Sequence, residues 1–144
     1  MSNRAQLVLA VVALGIVAAC GAAPLSAASS PSPSSGQVYV ATVADNGRTL
    51  SVHLGRELKV QLSSTYWTIH GSTNPTVLRA MEPAVVSPRP SGCVPGGGCG
   101  TVTMVFKVVG AGSSDVTASR QSCGEAMRCT GNEGSYRVSV EATP

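Results

Sequence analysis

The sequence has few aromatic and few charged residues. Only five of its 144 residues are aromatic and 12% are charged, about half of the ~25% usual in soluble domains. Lys and Arg exceed Asp and Glu by three, without a basic cluster or an aromatic stacking platform. These absences exclude a nucleic-acid-binding surface, so we expect no nucleic-acid partner. The core must be mostly Val and Leu around Trp67 and Phe106.

Motifs of catalysis and metal binding are also missing. The chain has no Gly-x-Ser-x-Gly elbow, no HExxH and no glycine loop that could cradle phosphate at the start of a helix. His53 and His70 alternate with apolar residues in strand-like segments, which favours solvent-facing positions over roles as ligands or bases. We therefore expect no enzyme activity, no metal and no cofactor.

The amino-terminal segment has the pattern of a lipoprotein signal. An apolar run over residues 7–16 follows Arg4 and leads into Val17-Ala18-Ala19-Cys20, which predicts a signal peptide over residues 1–19. Small residues before Cys20 admit a peptidase, and its thiol would take the lipid, so we predict lipidation at Cys20. An ordinary signal peptide or a membrane span is the alternative, but a span needs about 20 apolar residues and this run ends at residue 21.

The composition changes after the signal. Residues 22–36 are mostly Ser, Pro and Ala with no charged residue, which is typical of a flexible, partly extended tether. We assign residues 20–36 to this tether and residues 37–144 to one domain. The protein is therefore expected to be exported and held on the outer side of the cell membrane by its lipid.

The other four cysteines fall into two local pairs, Cys93 with Cys99 and Cys123 with Cys129. In an exported protein an even set of cysteines indicates disulfides. Three pairings are possible, and the equal C-x5-C spacing favours the two short loops. A four-cysteine zinc site is the rival, but the C-x2-C knuckles of such sites are absent.

The domain is patterned for strands. Apolar residues, many of them β-branched, alternate with polar ones in seven short segments, and no stretch has a helical period. The segments are residues 38–43, 50–54, 58–62, 67–70, 102–109, 116–119 and 136–140. They predict an all-β, immunoglobulin-like β-sandwich of about seven strands. Asp45-Asn46-Gly47 predicts a hairpin between the first two.

Several segments resemble the chagasin family of cysteine-peptidase inhibitors, over about residues 50–140. Residues 55–62 resemble the strand that leads to that family's first inhibitory loop, and Tyr66-Trp67 resembles the aromatic pair that opens the next strand. Residues 74–78 resemble the segment after it. Residues 98–110 resemble the glycine-rich loop and its outgoing strand, and residues 116–120 the strand that enters the last loop.

The resemblance implies a sandwich whose three end loops wedge into a papain-like cleft without being cut. The family's loops carry Asn-Pro-Thr-Thr-Gly, Gly-x-Gly-Gly and Arg-Pro-Trp, and each motif is altered in this chain. Ser63-Ser64-Thr65 replaces the first, Thr101 follows Gly98 and Gly100 in the second, and Gln121-Ser122 follows Arg120 in the third. The residues expected to bind a partner are Ser64, Thr65, Tyr66, Gly98, Gly100 and Arg120.

Two functions from different classes follow. The first is a lipid-anchored envelope protein that binds or inhibits papain-like cysteine peptidases through its end loops. The second is a structural or adhesive protein-binding module of the cell envelope with no peptidase partner. Inhibition of a papain-type peptidase discriminates between them.

Overall fold

A computed structural model describes residues 37–144. The predicted signal peptide (1–19), the lipidation at Cys20 and the tether (20–36) lie outside the described residues and stay predictions. Within the described range, no helix has both the length and the apolar character needed to cross a membrane.

The described chain is built from eleven strands and two 3-10 turns. Seven strands have four or more residues: β1 (Val38–Ala41), β2 (Thr49–His53), β3 (Glu57–Ser63), β4 (Thr68–Ser72), β7 (Thr101–Val108), β8 (Gly112–Ser119) and β11 (Ser135–Thr143). The four shorter ones are β5 (Leu78–Ala80), β6 (Val85–Val86), β9 (Ser122–Gly124) and β10 (Met127–Arg128). The 3-10 turns cover Val43–Asp45 and Gly131–Gly134. The seven longer strands correspond to the seven predicted segments, with shifted ends.

The longer strands form two sheets. One has the order β1-β3-β7-β5, with β6 also paired to β7, and the other has the order β2-β11-β8-β4. Strand β1 runs parallel to β3, and β2 runs parallel to β11, whereas the remaining pairs are antiparallel. Strands β9 and β10 form a separate small hairpin.

Alternating residues of both sheets share one core. Leu58, Val60 and Leu62 of β3 are fully buried, and they belong to the same apolar cluster as Val138 and Val140 of β11. Period-two alternation sends these side chains to one face of each strand, so the two sheets pack face to face. The prediction of an all-β sandwich is confirmed.

The hairpin predicted at Asp45-Asn46-Gly47 is wrong. The chain crosses here from β1 in one sheet to β2 in the other, through the 3-10 turn Val43–Asp45. Asn46 donates its amide Nδ2 to the Ser135 carbonyl (2.9 Å), and its Oδ1 accepts from the Arg137 amide (2.8 Å). The turn residues therefore fasten the crossing to β11 instead of folding β2 back on β1.

Both predicted disulfides are present. Cys93 is bonded to Cys99 with their Cα atoms 6.0 Å apart, and Cys123 is bonded to Cys129 at 4.9 Å. The pairing is the local one that the spacing favoured, and it rules out the four-cysteine zinc site. Each bond closes a ring within a loop and does not join the two sheets.

Strand register brings three loops to one end of the sandwich. Ser63, the last residue of β3, pairs with Thr101, the first residue of β7. Ser119, the last residue of β8, pairs with both Thr68 and Ser135. Loop 1 (residues 64–67), loop 2 (87–100) and loop 3 (120–134) therefore meet, and we call this the three-loop end. Strand β1 begins at the opposite end, where Val38 pairs with Glu57.

Candidate protein-binding site at the three-loop end

Backbone hydrogen bonds tie loop 1 to loop 2. The amide of Ser64 donates to the Gly100 carbonyl (2.7 Å), and that of Thr65 donates to the Gly98 carbonyl (2.9 Å). These bonds continue the ladder between β3 and β7 past the ends of the strands. Ser64 adopts a left-handed φ of 97°, which is uncommon for a residue other than glycine. The two loops therefore form one backbone unit.

Tyr66 closes over the glycines of loop 2. Its hydroxyl donates a hydrogen bond to the Gly96 carbonyl, and its half-buried ring lies against Gly98. A Cβ atom at Gly98 would overlap the ring carbons and come within 2.9 Å of the Ser64 Oγ. Gly98 also has a φ of 60°. Tyr66 and Gly98, both expected to meet a partner, are thus in contact with each other.

Gly100 is required by a second close approach. Its φ is 119°, and a Cβ atom there would lie 2.7 Å from the Ser87 Oγ and 3.0 Å from Thr65 Cγ2. The Ser87 hydroxyl oxygen accepts from the Thr101 amide at 2.9 Å. A side chain at residue 100 would therefore separate the two ends of loop 2.

Loop 2 is held by three further links. The disulfide joins Cys93 to Cys99, the Gly97 amide donates to the Val94 carbonyl (3.1 Å), and Arg89 Nη2 donates to the Cys93 carbonyl (2.9 Å). A glycine-rich segment has many conformations when free. Cross-links that remove most of them leave this loop with a defined shape.

Arg120 connects loop 3 to loop 1. Its guanidinium carbon lies 4.5 Å from the centre of the Trp67 ring, within the range of a cation–π contact. Its Nε donates to the Glu133 carbonyl at 3.1 Å. Trp67 is buried, donates from Nε1 to the Ser63 carbonyl (3.0 Å) and meets the Tyr136 ring edge to face at 6.3 Å. Arg120 is therefore both a surface cation and a brace.

Two ionisable groups at the end of loop 3 and the start of β11, Glu133 and Tyr136, keep one charge state near pH 7. Burial, with a smaller contribution from the charge of Asp45, raises the pKa of Tyr136 to about 12, so the phenol stays neutral. Hydrogen bonds from the amide and the hydroxyl of Thr130 lower the pKa of Glu133, so that carboxylate stays ionised. The bond from the Thr130 amide also caps the 3-10 turn Gly131–Gly134.

Three open hollows lie at the loops. The first, of about 600 Å³, lies beside loop 3, and its lining includes Arg120 and Arg128. The second, of about 330 Å³, lies between loops 1 and 3, and the third, of about 320 Å³, lies between Tyr66, Val86 and loop 2. They give this end an uneven surface that a protein could cover.

The described residues carry little that would suggest catalysis. His70 Nε2 lies 2.8 Å from the Ser119 Oγ, and both residues are exposed on a strand face. Over residues 37–144, no carboxylate is bonded to this imidazole ring, so the pair lacks the orienting third member of a triad. In the same range, no three His, Cys, Asp or Glu side chains are grouped to hold a metal ion.

All six residues expected to bind a partner lie at the three-loop end. The register brings together Ser64, Thr65, Tyr66, Gly98, Gly100 and Arg120. Sequence reasoning missed the roles of Ser87 and Arg89, because a serine and an arginine in a Pro-rich segment carry no local signal of a long-range contact. It also gave no weight to Val94 and Met127, which lie within the two disulfide rings.

No protein-family model matches the sequence, and neither does any curated protein. Solved structures do share its fold. Amebosin superposes with a TM-score of 0.52 at 13% identity, over 75% of this chain and 100% of amebosin. The cysteine protease inhibitor EhICP2 from Entamoeba histolytica gives 0.52 at 12% identity, over 74% of this chain and 95% of the inhibitor. At these identities the likeness is one of fold.

Proposed function

We propose that the domain is a protein inhibitor of papain-like cysteine peptidases that binds through its three-loop end. The observation that carries this proposal is the bracing of the loops. Two disulfides, the contact of Tyr66 with Gly98 and the contact of Arg120 with Trp67 fix loops that are rich in glycine and polar residues.

Bracing matters for binding because ordering a loop costs conformational entropy. A surface already held in its bound shape avoids that cost, so more of the contact energy remains as affinity. Loops positioned on a rigid sandwich are also where recognition residues are usually found. Braced loops at one end of a rigid sandwich therefore favour a protein-binding role.

Likeness to known inhibitors supports the choice of partner. The fold is shared with a cysteine protease inhibitor over nearly its whole length. The segments that resemble the chagasin family include the strands that enter and leave the three loops. The loop motifs themselves differ, so we propose that the mode of approach is kept and that the contacting side chains are this chain's own.

The topology suits an anchored inhibitor. Strand β1 begins, and β11 ends, at the end of the sandwich opposite to the loops, because Val38 pairs with Glu57 and Thr143 pairs with His53. A lipid on Cys20, with a tether before residue 37, would therefore leave the three-loop end accessible. Such a protein would guard the outer face of its envelope against peptidases.

The test is inhibition of papain by the mature chain, produced from residue 21 without lipid. We expect tight, reversible inhibition of papain with no cleavage of the chain, and no effect on the serine peptidase subtilisin. Absence of papain inhibition at micromolar concentrations, with the disulfides intact, would overturn the proposal and favour the structural or adhesive module.

A further inference from the structure

We propose that Val94 and Met127, which lie within the two disulfide rings and which we call the tip residues, are the side chains that enter the partner, and that they occupy two apolar subsites of a peptidase cleft. The inference rests on the proposed function and adds the chemistry of its contact. It also assigns Tyr66 and Arg120 to positioning these tips.

Val94 and Met127 are among the most exposed large apolar side chains of the described residues. Over residues 37–144, six large apolar side chains are more than half exposed. Four of them lie on or beside strands of the β1-β3-β7-β5 sheet: Val40, Met81, Val85 and Val86. The other two are Val94, 54% exposed, and Met127, 62% exposed. These two lie inside the disulfide rings of loops 2 and 3.

The backbone of each tip residue is held by its disulfide ring. Val94 follows Cys93, and its carbonyl accepts from the Gly97 amide at 3.1 Å. Met127 pairs with Gly124 in the β9–β10 hairpin, inside the Cys123–Cys129 ring. An apolar side chain displayed on a fixed backbone is favourable for binding because little backbone freedom remains to be lost.

Each tip residue lies against a glycine of its own ring. A Cβ atom at Gly97 would lie 3.2 Å from Val94 Cγ2, and one at Gly124 would lie 3.5 Å from Met127 Cε. Each side chain therefore rests on its own ring on one side, and its exposed remainder, 54% for Val94 and 62% for Met127, is left for a partner surface to cover. Surrounding an exposed apolar side chain in this way removes its area from water, which is the main favourable term in association.

Tyr66 and Arg120 are less suited to be the anchors. Tyr66 is half-buried, bonded to Gly96 and packed on Gly98, and Arg120 is half-buried on Trp67. The hydroxyl and ring of Tyr66 and the guanidinium of Arg120 already make contacts within the chain. A partner would gain less new buried area from them than from Val94 and Met127.

The tips specify the kind of subsite. Val is short and branched, and fits a shallow apolar recess. Met is long, flexible and polarisable, and adapts to irregular apolar or aromatic walls. The proposal therefore commits to a cleft with apolar recesses, and polar substitutions at the tips should weaken binding.

The experiment compares two variants with two controls matched in residue type and exposure. Val94→Ser is matched by Val40→Ser, and Met127→Gln is matched by Met81→Gln; Val40 and Met81 are 53% and 52% exposed. The probe is papain, and the inhibition constant is measured for the mature chain and each variant. Circular dichroism and disulfide mapping verify that every variant is folded.

We expect each tip variant to weaken inhibition by about five-fold or more, the loss that marks the minority of interface residues with a clear contribution to binding, and each control to change it by less than about two-fold. Wild-type inhibition with unchanged constants for both tip variants would overturn this inference and leave the proposed function intact. Absence of inhibition by the wild-type chain would overturn both.

Discussion

The ring of Tyr66 lies over the backbone of Gly98, in the space that any side chain at residue 98 would need. A tyrosine beside a glycine-rich loop suggests an aromatic residue offered to a partner. The structure instead uses it as a clamp on that loop, fastened by its hydroxyl to the Gly96 carbonyl. The conformation of loop 2 therefore depends on the contact with Tyr66 of loop 1.

Replacing Gly98 by Ala should open this clamp. The new Cβ would displace the Tyr66 ring, and the φ of 60° would add a left-handed strain of roughly 1–2 kcal/mol. We expect lower thermal stability and at least tenfold weaker inhibition of papain.

Gly55→Ala is the matched control, because Gly55 lies at the end opposite to the loops and has a φ of 79° with no atom within 4 Å of the added Cβ. This variant has the strain of an alanine at positive φ but no overlap between the added Cβ and another residue. Equal losses of inhibition in the two variants would show that the clamp has no special role.

Removing the first disulfide should loosen one loop without unfolding the sandwich. A ring of this size contributes about 2 kcal/mol through chain entropy. For Cys93→Ser with Cys99→Ser, we expect that loss of stability, and faster amide exchange at Val94 and Gly97. Exchange in β3 should stay slow, because its core residues are fully buried. Exchange in loop 2 that stays as slow as in the native chain would contradict the role given to the disulfide.

Arg120→Lys tests the contact with Trp67. Arg stacks its planar guanidinium on the ring, and a lysine ammonium does not reproduce that geometry. Trp67 is the single tryptophan of the chain, so its emission reports directly on this contact. We expect a shift in the emission maximum and a stability loss of about 0.5–1 kcal/mol.

The exposed Arg128 provides the comparison for Arg120. Arg128→Lys should leave the emission of Trp67 unchanged. An identical spectrum for Arg120→Lys and the native chain would mean that Arg120 does not rest on the ring in solution.

Asp115 should make stability sensitive to acid. It accepts from Arg137 Nη2 and from the Ser139 hydroxyl, each at 2.6 Å. The bond from Arg137, and then that from Ser139, lower its pKa from the ordinary value of 3.8. A carboxylate with a lowered pKa stabilises the fold above its unfolded-state pKa, and this contribution is lost as the pH falls through its folded-state pKa.

Asp115→Asn should therefore lower the free energy of unfolding by about 1 kcal/mol near pH 7. The difference in this free energy between the variant and the native chain should shrink below about pH 4. Denaturant unfolding of both proteins at several pH values measures this difference in the free energy of unfolding. Papain inhibition at neutral pH should be unchanged, since Asp115 is mid-strand and away from the loops. A pH-independent difference would contradict the ionic origin.

Sequence patterning was sufficient for the seven longer strands, the sandwich and the disulfides. Alternation in residues 58–62 or 136–140 reflects burial on one face only, and C-x5-C spacing allows a local ring.

The crossing at Asn46 could not be predicted, because the same side chain can bond within a turn or to β11, and only the tertiary fold decides. The β9–β10 hairpin is too short to have a period. The inward use of Tyr66 was hidden for a similar reason, since its partner Gly98 is 32 positions away in the chain.

The central claim is that the three-loop end is the surface that meets a papain-like peptidase. Hydrogen exchange of the mature chain, alone and with papain whose catalytic thiol is reversibly blocked, tests it most directly. We predict new protection in residues 64–67, 93–99 and 123–129, and none in the turns of the opposite end, residues 54–56 and 109–111. Protection confined to the opposite end or to the outer faces of the sheets would contradict the account.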